Sequence, residues 1–236
     1  MAPAEPDPAS PSGSLDELLD KMRAEWDARA RKNARHFIAN HNSEWTDEAF
    51  FESGRWNVAE QILNDPDNIY QGKDPKRMKV LEIGCGAGRI TRALAEVFGE
   101  VYAVDVSGEM IAQAKAALAD LPNAYVFQNN GTDLKVLGDL RVDFAFSFIV
   151  FQHIPSREVI YSYVREVHRL LRPGGLFKFQ VEGAECSKSG SDTWNGVHFS
   201  DEDAVKMAEE CGFEARHRIA AGSQYFWLWF FRKPQA

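Results

Sequence analysis

From Met78 onward the apolar positions fall into two alternating kinds of run. Short, nearly continuous runs predict strands near 78–83, 101–105, 124–128, 142–148 and 176–182. Between them, apolar residues return at helical spacing, as Ile90, Leu94, Val97 and Phe98 do, and predict helices near 88–98, 107–119 and 156–171. The run from Val142 to Val150 has almost no polar break, the pattern of a strand covered on both faces. A helix near 200–211 ends at Cys211-Gly212, and two strands near 213–220 and 225–232 follow, separated by Ala221-Gly222-Ser223. Alternating strands and helices imply an α/β fold with a mostly parallel sheet between two helical layers. The aromatic run Tyr225–Phe231 reads as buried sheet in preference to a substrate platform.

The first part of the chain has a different texture. Residues 1–14 are rich in Pro, Ala, Ser and Gly and are expected to be a disordered tail. Ser14-x-x-Glu17 then forms a capping-box pattern, followed at helical spacing by Leu15, Leu18, Leu19, Met22 and Trp26, with the helix running on through Arg29, Asn33 and Phe37. A second helical segment holds Phe50, Phe51, Trp56, Val58, Ile62 and Leu63. Asp65-Pro66 and Lys73-Asp74-Pro75 lead into the core. The division expected is a tail over 1–14, a helical cap over 15–72 and the α/β domain over 73–236. Trp26, Arg29, Asn33, His36, Phe37, Trp45 and Trp56 make these helices too apolar to stand in solvent; they cover the ligand cleft, or else pack on the back of the sheet or at a dimer interface.

Composition narrows the partners. A formal net charge of −8 argues against sequence-independent binding of nucleic-acid phosphates, which needs a concentrated basic surface. No run approaches the roughly 20 apolar residues that cross a bilayer, and no basic segment precedes an apolar core near the N-terminus. Cys85, Cys186 and Cys211 have neither metal nor redox spacing, so reduced thiols in a cytoplasmic protein without a metal are expected.

The candidate chemistry starts at the first strand. Glu82-Ile83-Gly84-Cys85-Gly86-Ala87-Gly88 places glycines at alternate positions between that strand and a helix. Bare backbone at a helix N-terminus admits an anionic ligand group, and glycine tolerates the turn. About twenty residues further on, the second strand ends in Asp105, where a carboxylate can accept both hydroxyls of a ribose. The two together predict a nucleoside-containing cofactor. The spacing departs from the G-x-G-x-x-G of dinucleotide sites. Glu82-x-Gly84-x-Gly86-x-Gly88 instead resembles the first motif of the class I S-adenosylmethionine-dependent methyltransferases, and Leu170-Leu171-Arg172-Pro173-Gly174-Gly175-Leu176 resembles that family's Leu-x-Pro-Gly-Gly signature.

The resemblance implies a doubly wound, seven-stranded sheet with its last strand antiparallel, and S-adenosylmethionine as cofactor, leaving S-adenosylhomocysteine (SAH). Glu82, Gly84, Cys85, Gly86 and Gly88 would form the cofactor loop, Asp105 would hold the ribose, and Val106 and Met110 would pack the cofactor. Asn130 stands where many members carry an adenine-binding Asp, with Gly131 presenting its amide beside it and Asp133 as the fallback. Phe148 and Val150 would border the methionine portion. Gln152 and His153 would lie nearest the acceptor, with His153 either a base for the acceptor proton or a local brace before Pro155. Trp194 and His198 are further acceptor-site candidates from an irregular stretch, residues 183–199. Leu170–Leu176 is expected to stop a helix and reverse tightly into the fifth strand.

The function this implies is methyl transfer to an O or N atom of a small-molecule acceptor of sugar or secondary-metabolite type, by a monomer or homodimer. A protein methyltransferase, a non-catalytic cofactor-binding subunit and an NAD-dependent oxidoreductase are the alternatives.

Overall fold

A computed structural model describes residues 14–40, 42, 44–184 and 193–234. The expected tail up to residue 13 and the middle of the irregular stretch, Cys186 included, lie outside the described residues. The elements are α1 (Leu15–Ile38), α2 (Asp47–Val58), α3 (Pro66–Ile69), β1 (Lys79–Ile83), α4 (Arg89–Val97), β2 (Glu100–Asp105), α5 (Gly108–Ala117), β3 (Ala124–Gln128), β4 (Val142–Ser147), α6 (Arg157–Leu170), β5 (Leu171–Val181), α7 (Asp201–Glu210), β6 (Glu214–Ile219) and β7 (Phe226–Phe231). The seven strands form one sheet in the order β3-β2-β1-β4-β5-β7-β6. Only β7 runs antiparallel to its neighbours.

Both faces of the sheet are covered. Alternation along β4 sends Ala145 toward a cluster with Val159, Ile160 and Val164 of α6 and Met207 of α7. It sends Phe144 and Phe146 toward a second cluster with Leu94 of α4 and with Val58, Ile62 and Ile69. The aromatic run before the C-terminus is β7, buried as expected from Phe226 to Phe231 apart from a half-buried Trp227.

The N-terminal helices divide between two tasks. The capping box at Ser14 and Glu17 forms. Helix α1 then kinks where a continuous helix is expected, because the Asn33 side-chain oxygen accepts from the His36 amide at 3.2 Å and caps a new final turn. Beyond α2 the chain makes one π turn, Ala59–Leu63, and Lys178 of β5 donates to the Gln61 carbonyl within it. Lys178 sits against the rings of Trp227 and Trp229, and burial lowers its ammonium to about 8, against the pull of Asp65 at 3.7 Å. The segment from α2 to α3 is therefore part of the helical layer on the sheet, while α1 crosses the carboxyl ends of the strands.

Polar attachments along its length hold α1 there. Arg23 donates to the Asn130 carbonyl after β3 at 3.1 Å. Asp27 accepts from the Ser107 hydroxyl (2.6 Å) and the Glu109 amide (3.2 Å) at the start of α5, where a carboxylate offsets the helix dipole. Arg31 pairs with Glu109 at 3.0 Å, and Arg29 donates to the Thr193 hydroxyl at 2.9 Å.

The Pro-Gly-Gly segment differs from its expected tight reversal. Helix α6 passes directly into β5 at Leu171, and the register against β4 jumps from Val142↔Leu171 to Phe144↔Leu176. The intervening residues bulge out and pair with the end of β7: the Gly174 amide donates to the Arg232 carbonyl and the Arg232 amide to the Gly175 carbonyl, at 2.7 and 2.9 Å.

Candidate active site

A cavity opens at the carboxyl ends of β1, β2 and β4, roofed by α1. Glu82, Gly84, Cys85, Gly86, Asp105, Val106, Met110, Phe148, Val150 and His153 all line it, and α1 contributes Met22, Trp26, Phe37 and Ile38. It holds about 940 Å³ of space not filled by protein atoms, open solvent included.

The loop after β1 needs its glycines for backbone conformation and for close packing. Gly84 and Gly86 have φ of +77° and +52°. A Cβ on Gly84 would fall 2.2 Å from a Val150 methyl, and one on Gly86 would fall 2.7 Å from Ile38 Cδ1. Asp105 accepts from the Gly86 amide on one carboxylate oxygen and from the Ser107 amide on the other, both at 2.9 Å. Burial raises its carboxyl above the ordinary value, and those amide bonds oppose the rise. Glu82 is enclosed beneath the loop, with the Thr91 hydroxyl at 2.6 Å; burial pushes its carboxyl up to about 7. Burial also holds the Cys85 thiol well above its usual range, which suits a small filler and not a nucleophile.

Gly88, Asn130 and Gly131 stand outside the cavity wall. Gly88 begins α4 at φ +85°, with Leu118 packed where its Cβ would be. Asn130 turns its oxygen back onto the Thr132 and Asp133 amides at 2.9 Å. Gly131 packs under Val106, Met22 and Leu19. The neighbouring Asn129 is the amide that faces the cavity. Its Nδ2 donates to the Tyr163 hydroxyl at 2.6 Å, and its buried Oδ1 has no hydrogen-bond partner. An unpartnered acceptor on a residue of the cavity wall suits the exocyclic amine of a purine, and together with the glycine loop it fits an adenosyl cofactor.

A second chamber adjoins the first and shares Phe37, Ile38, Arg89, Phe148, Ile149 and His153 with it. Gln152 and Trp194 line this chamber, as do Ser53, Trp56 and Asn57 of α2 and Tyr225 before β7. Nδ1 of His153 lies 2.6 Å from the Trp194 carbonyl. A carbonyl only accepts, so Nδ1 carries the proton and Nε2 is the basic nitrogen of the neutral ring. His153 also packs edge-on against Trp26 and beside Trp194, with ring centroids 5.5 and 5.0 Å apart. His198 lies outside both spaces, with Nε2 bound to the Gly183 carbonyl at 3.1 Å. Among the described residues no cluster of three or more His, Cys, Asp or Glu is placed to hold a metal, and no helix is long and apolar enough to cross a membrane.

Sequence reasoning left Arg89, Asn129, Ser53 and Asn57 without a role. Ser53 and Asn57 carried one readable signal, two polar residues at i, i+4 on a helix that is otherwise apolar on that face. Tyr163 carried none.

Residues 81–179 match the family described as a methyltransferase domain. A probable S-adenosylmethionine-dependent methyltransferase of Mycolicibacterium smegmatis is 30% identical over 144 residues, 59% of this chain and 53% of that protein. The malonyl-[acyl-carrier protein] O-methyltransferase of Enterobacter lignolyticus is 29% identical over 119 residues, 50% of this chain and 45% of its own. The chain spans about half the length of these curated relatives. Among solved structures, the DhpI–SAH complex shares the fold with a TM-score of 0.64 at 21% identity, over 94% of this chain and 100% of that one. Residues 81–179 thus carry a methyltransferase domain similar in sequence to S-adenosylmethionine-dependent methyltransferases, and the sheet has the strand order of the Rossmann-like methyltransferase fold.

Proposed function

We propose that this chain transfers a methyl group from S-adenosylmethionine to an oxygen or nitrogen of a small-molecule acceptor. The observation that supports this reading best is the pair of joined spaces. One is bounded by the glycine loop and Asp105; the other is aromatic-walled, and His153 stands at their junction.

In this reading Asp105 holds the ribose, Val106 and Met110 pack the adenine, and Asn129 Oδ1 accepts from its amine. Glu82 and the loop face the methionine end. Bound there, the cofactor supplies a methyl carbon on a sulfonium, which the acceptor's lone pair takes as the carbon–sulfur bond breaks and SAH is left. The chain's own part is chiefly positioning and exclusion of water. Trp26, Phe37 and Ile38 of α1 close the space, Gln152 orients the acceptor, and Nε2 of His153 receives the acceptor proton.

The test is calorimetric titration of the full chain with S-adenosylmethionine, SAH and NAD, with Asp105→Ala beside it, followed by an acceptor screen read by SAH release. Saturable binding of the two sulfur ligands and turnover with a small acceptor are expected. Binding of NAD instead, or cofactor binding with no turnover on any small acceptor, overturns the reading.

A further inference from the structure

Arg89 is 4% exposed, yet among the described residues no carboxylate oxygen lies within 4.0 Å of its guanidinium. Buried arginines are ordinarily ion-paired, because an uncompensated charge out of water is costly. This one is held by neutral groups. Its Nη1 donates to Asn57 Oδ1 at 2.6 Å and to Ser53 Oγ at 3.2 Å, and its Nε has no partner. Ser53 gives its own proton to the Phe50 carbonyl at 2.6 Å, which fixes its oxygen as an acceptor for Arg89.

The support is built by close helix packing. A Cβ on Gly54 would fall 2.2 Å from the Arg89 carbonyl oxygen, so only glycine lets α2 approach the start of α4 and bring Ser53 and Asn57 to the guanidinium. Glu82, the acid whose charge acts on Arg89, accepts from the Thr91 hydroxyl, and with its carboxyl pushed up to about 7 it is only partly charged at neutral pH. Arg89 borders both spaces, on the chamber side among Phe37, Phe148, Trp194 and the exposed aromatics Trp56 and Tyr225. The chamber also holds Gln152, buried, whose Oε1 has no partner.

We propose that this chamber takes an acceptor with an anionic oxygen group, carboxylate or phosphonate in class, bound by Arg89, and with a flat apolar body held between the aromatic walls. The unpartnered Gln152 oxygen accepts from the acceptor's hydroxyl or amine. Arg89 is thus the residue that selects anionic acceptors over neutral ones. The inference rests on the methyltransferase reading of the two spaces and names the substrate class of that site.

The test uses the full chain saturated with SAH and three probes built on one phenol ring: 4-hydroxybenzoate, 4-hydroxyphenylphosphonate and 4-hydroxybenzamide, the last the neutral, planar counterpart of the first. Calorimetry is expected to show at least one anion binding tenfold or more tighter than the amide, and the better anion identifies the oxyacid. Arg89→Gln is expected to remove that preference and Arg89→Lys to keep part of it, and the melting temperatures of both variants report that they fold. Equal binding of amide and anions overturns the proposal, as does an unaltered preference in Arg89→Gln. Loss of SAH affinity in Arg89→Gln, in step with the anions, assigns Arg89 to the cofactor's own carboxylate and also overturns it. Failure of the native chain to bind SAH at all is a separate result, which removes the cofactor reading and this inference with it.

Discussion

The Gly86 amide donates to Oδ2 of Asp105 at 2.9 Å, joining the loop after β1 to the end of β2. In the proposed reading Asp105 has two tasks, shaping the loop and offering its remaining lone pairs to the cofactor. Asp105→Ala removes both. A lost hydrogen bond to a charged group costs about 1.5–3 kcal/mol, so cofactor affinity is expected to fall by about ten- to a hundredfold. Asp105→Asn keeps one acceptor and is expected to fall between. Calorimetry with S-adenosylmethionine checks both, and native affinity in Asp105→Ala would remove Asp105 from the site.

Gly84→Ala meets two obstacles. Its φ of +77° disfavours a side chain, and the new methyl meets Val150 at 2.2 Å. Left-handed backbone alone costs roughly 1–2 kcal/mol, and Val150 cannot yield without moving the wall that faces the cofactor. Lower thermal stability and weaker cofactor binding are expected together. Gly72→Ala, at φ +78° with nothing within 4 Å, is the control that carries strain without the clash.

Glu82 predicts a pH dependence of stability. Its folded carboxyl lies near 7 against an ordinary 4.5, raised by burial and opposed by the Thr91 hydroxyl and the Arg89 charge. Between those values the folded chain holds a proton that the unfolded chain has released. The contribution is thus full below about 4.5 and is lost as pH rises through about 7, on the order of 3 kcal/mol over the window. Glu82→Gln is expected to lack this decline. Denaturant unfolding of both chains at pH 5 and pH 8 measures it; parallel losses in the two would place the titration elsewhere.

What the sequence made legible was what local pattern determines. β4 announced itself through its unbroken apolar run, and the glycine loop through spacing. Asn129 and Asn130 show the limit: one residue of register decides which amide faces the cavity, and adjacent identical residues carry no cue to it. The kink at Asn33 and the π turn were equally hidden. The first is a choice between helix and side-chain cap, and the second is tied to Lys178, which lies 117 positions from Gln61. Arg89 is legible only once α2 has docked. Its partners Ser53 and Asn57 lie 36 and 32 positions away, and their meaning depends on Gly54 permitting the approach.

The division of labour in the N-terminal segment makes truncation informative. A chain beginning at Asn40 loses α1, and with it the buried Leu19 and Met22, each contributing about 1.5–3 kcal/mol of burial. It is expected to fold with a lower melting temperature and at least tenfold weaker cofactor binding. A chain beginning at Asn64 also strips Val58 and Ile62 from the sheet and is expected not to fold. Trp26→Ala, which opens the roof without removing the helix, is expected to weaken the cofactor with little loss of stability. Native affinity in both the Asn40 chain and Trp26→Ala would show that α1 is no cover.

His153 separates proton transfer from bracing. Its Nδ1–H holds the Trp194 carbonyl at 2.6 Å, while Nε2 is the basic atom. Asparagine places an N–H close to Nδ1 and no base at Nε2. His153→Asn therefore preserves the brace and deletes the base, whereas His153→Ala deletes both. With the acceptor found by the screen, general-base loss predicts turnover falling about a hundredfold in His153→Asn, with the acid limb of the pH–rate profile gone. Cofactor affinity should change far less than turnover. If His153→Asn keeps native turnover and limb while His153→Ala loses turnover, the ring serves to hold Trp194 against the chamber, and the acceptor proton leaves to water.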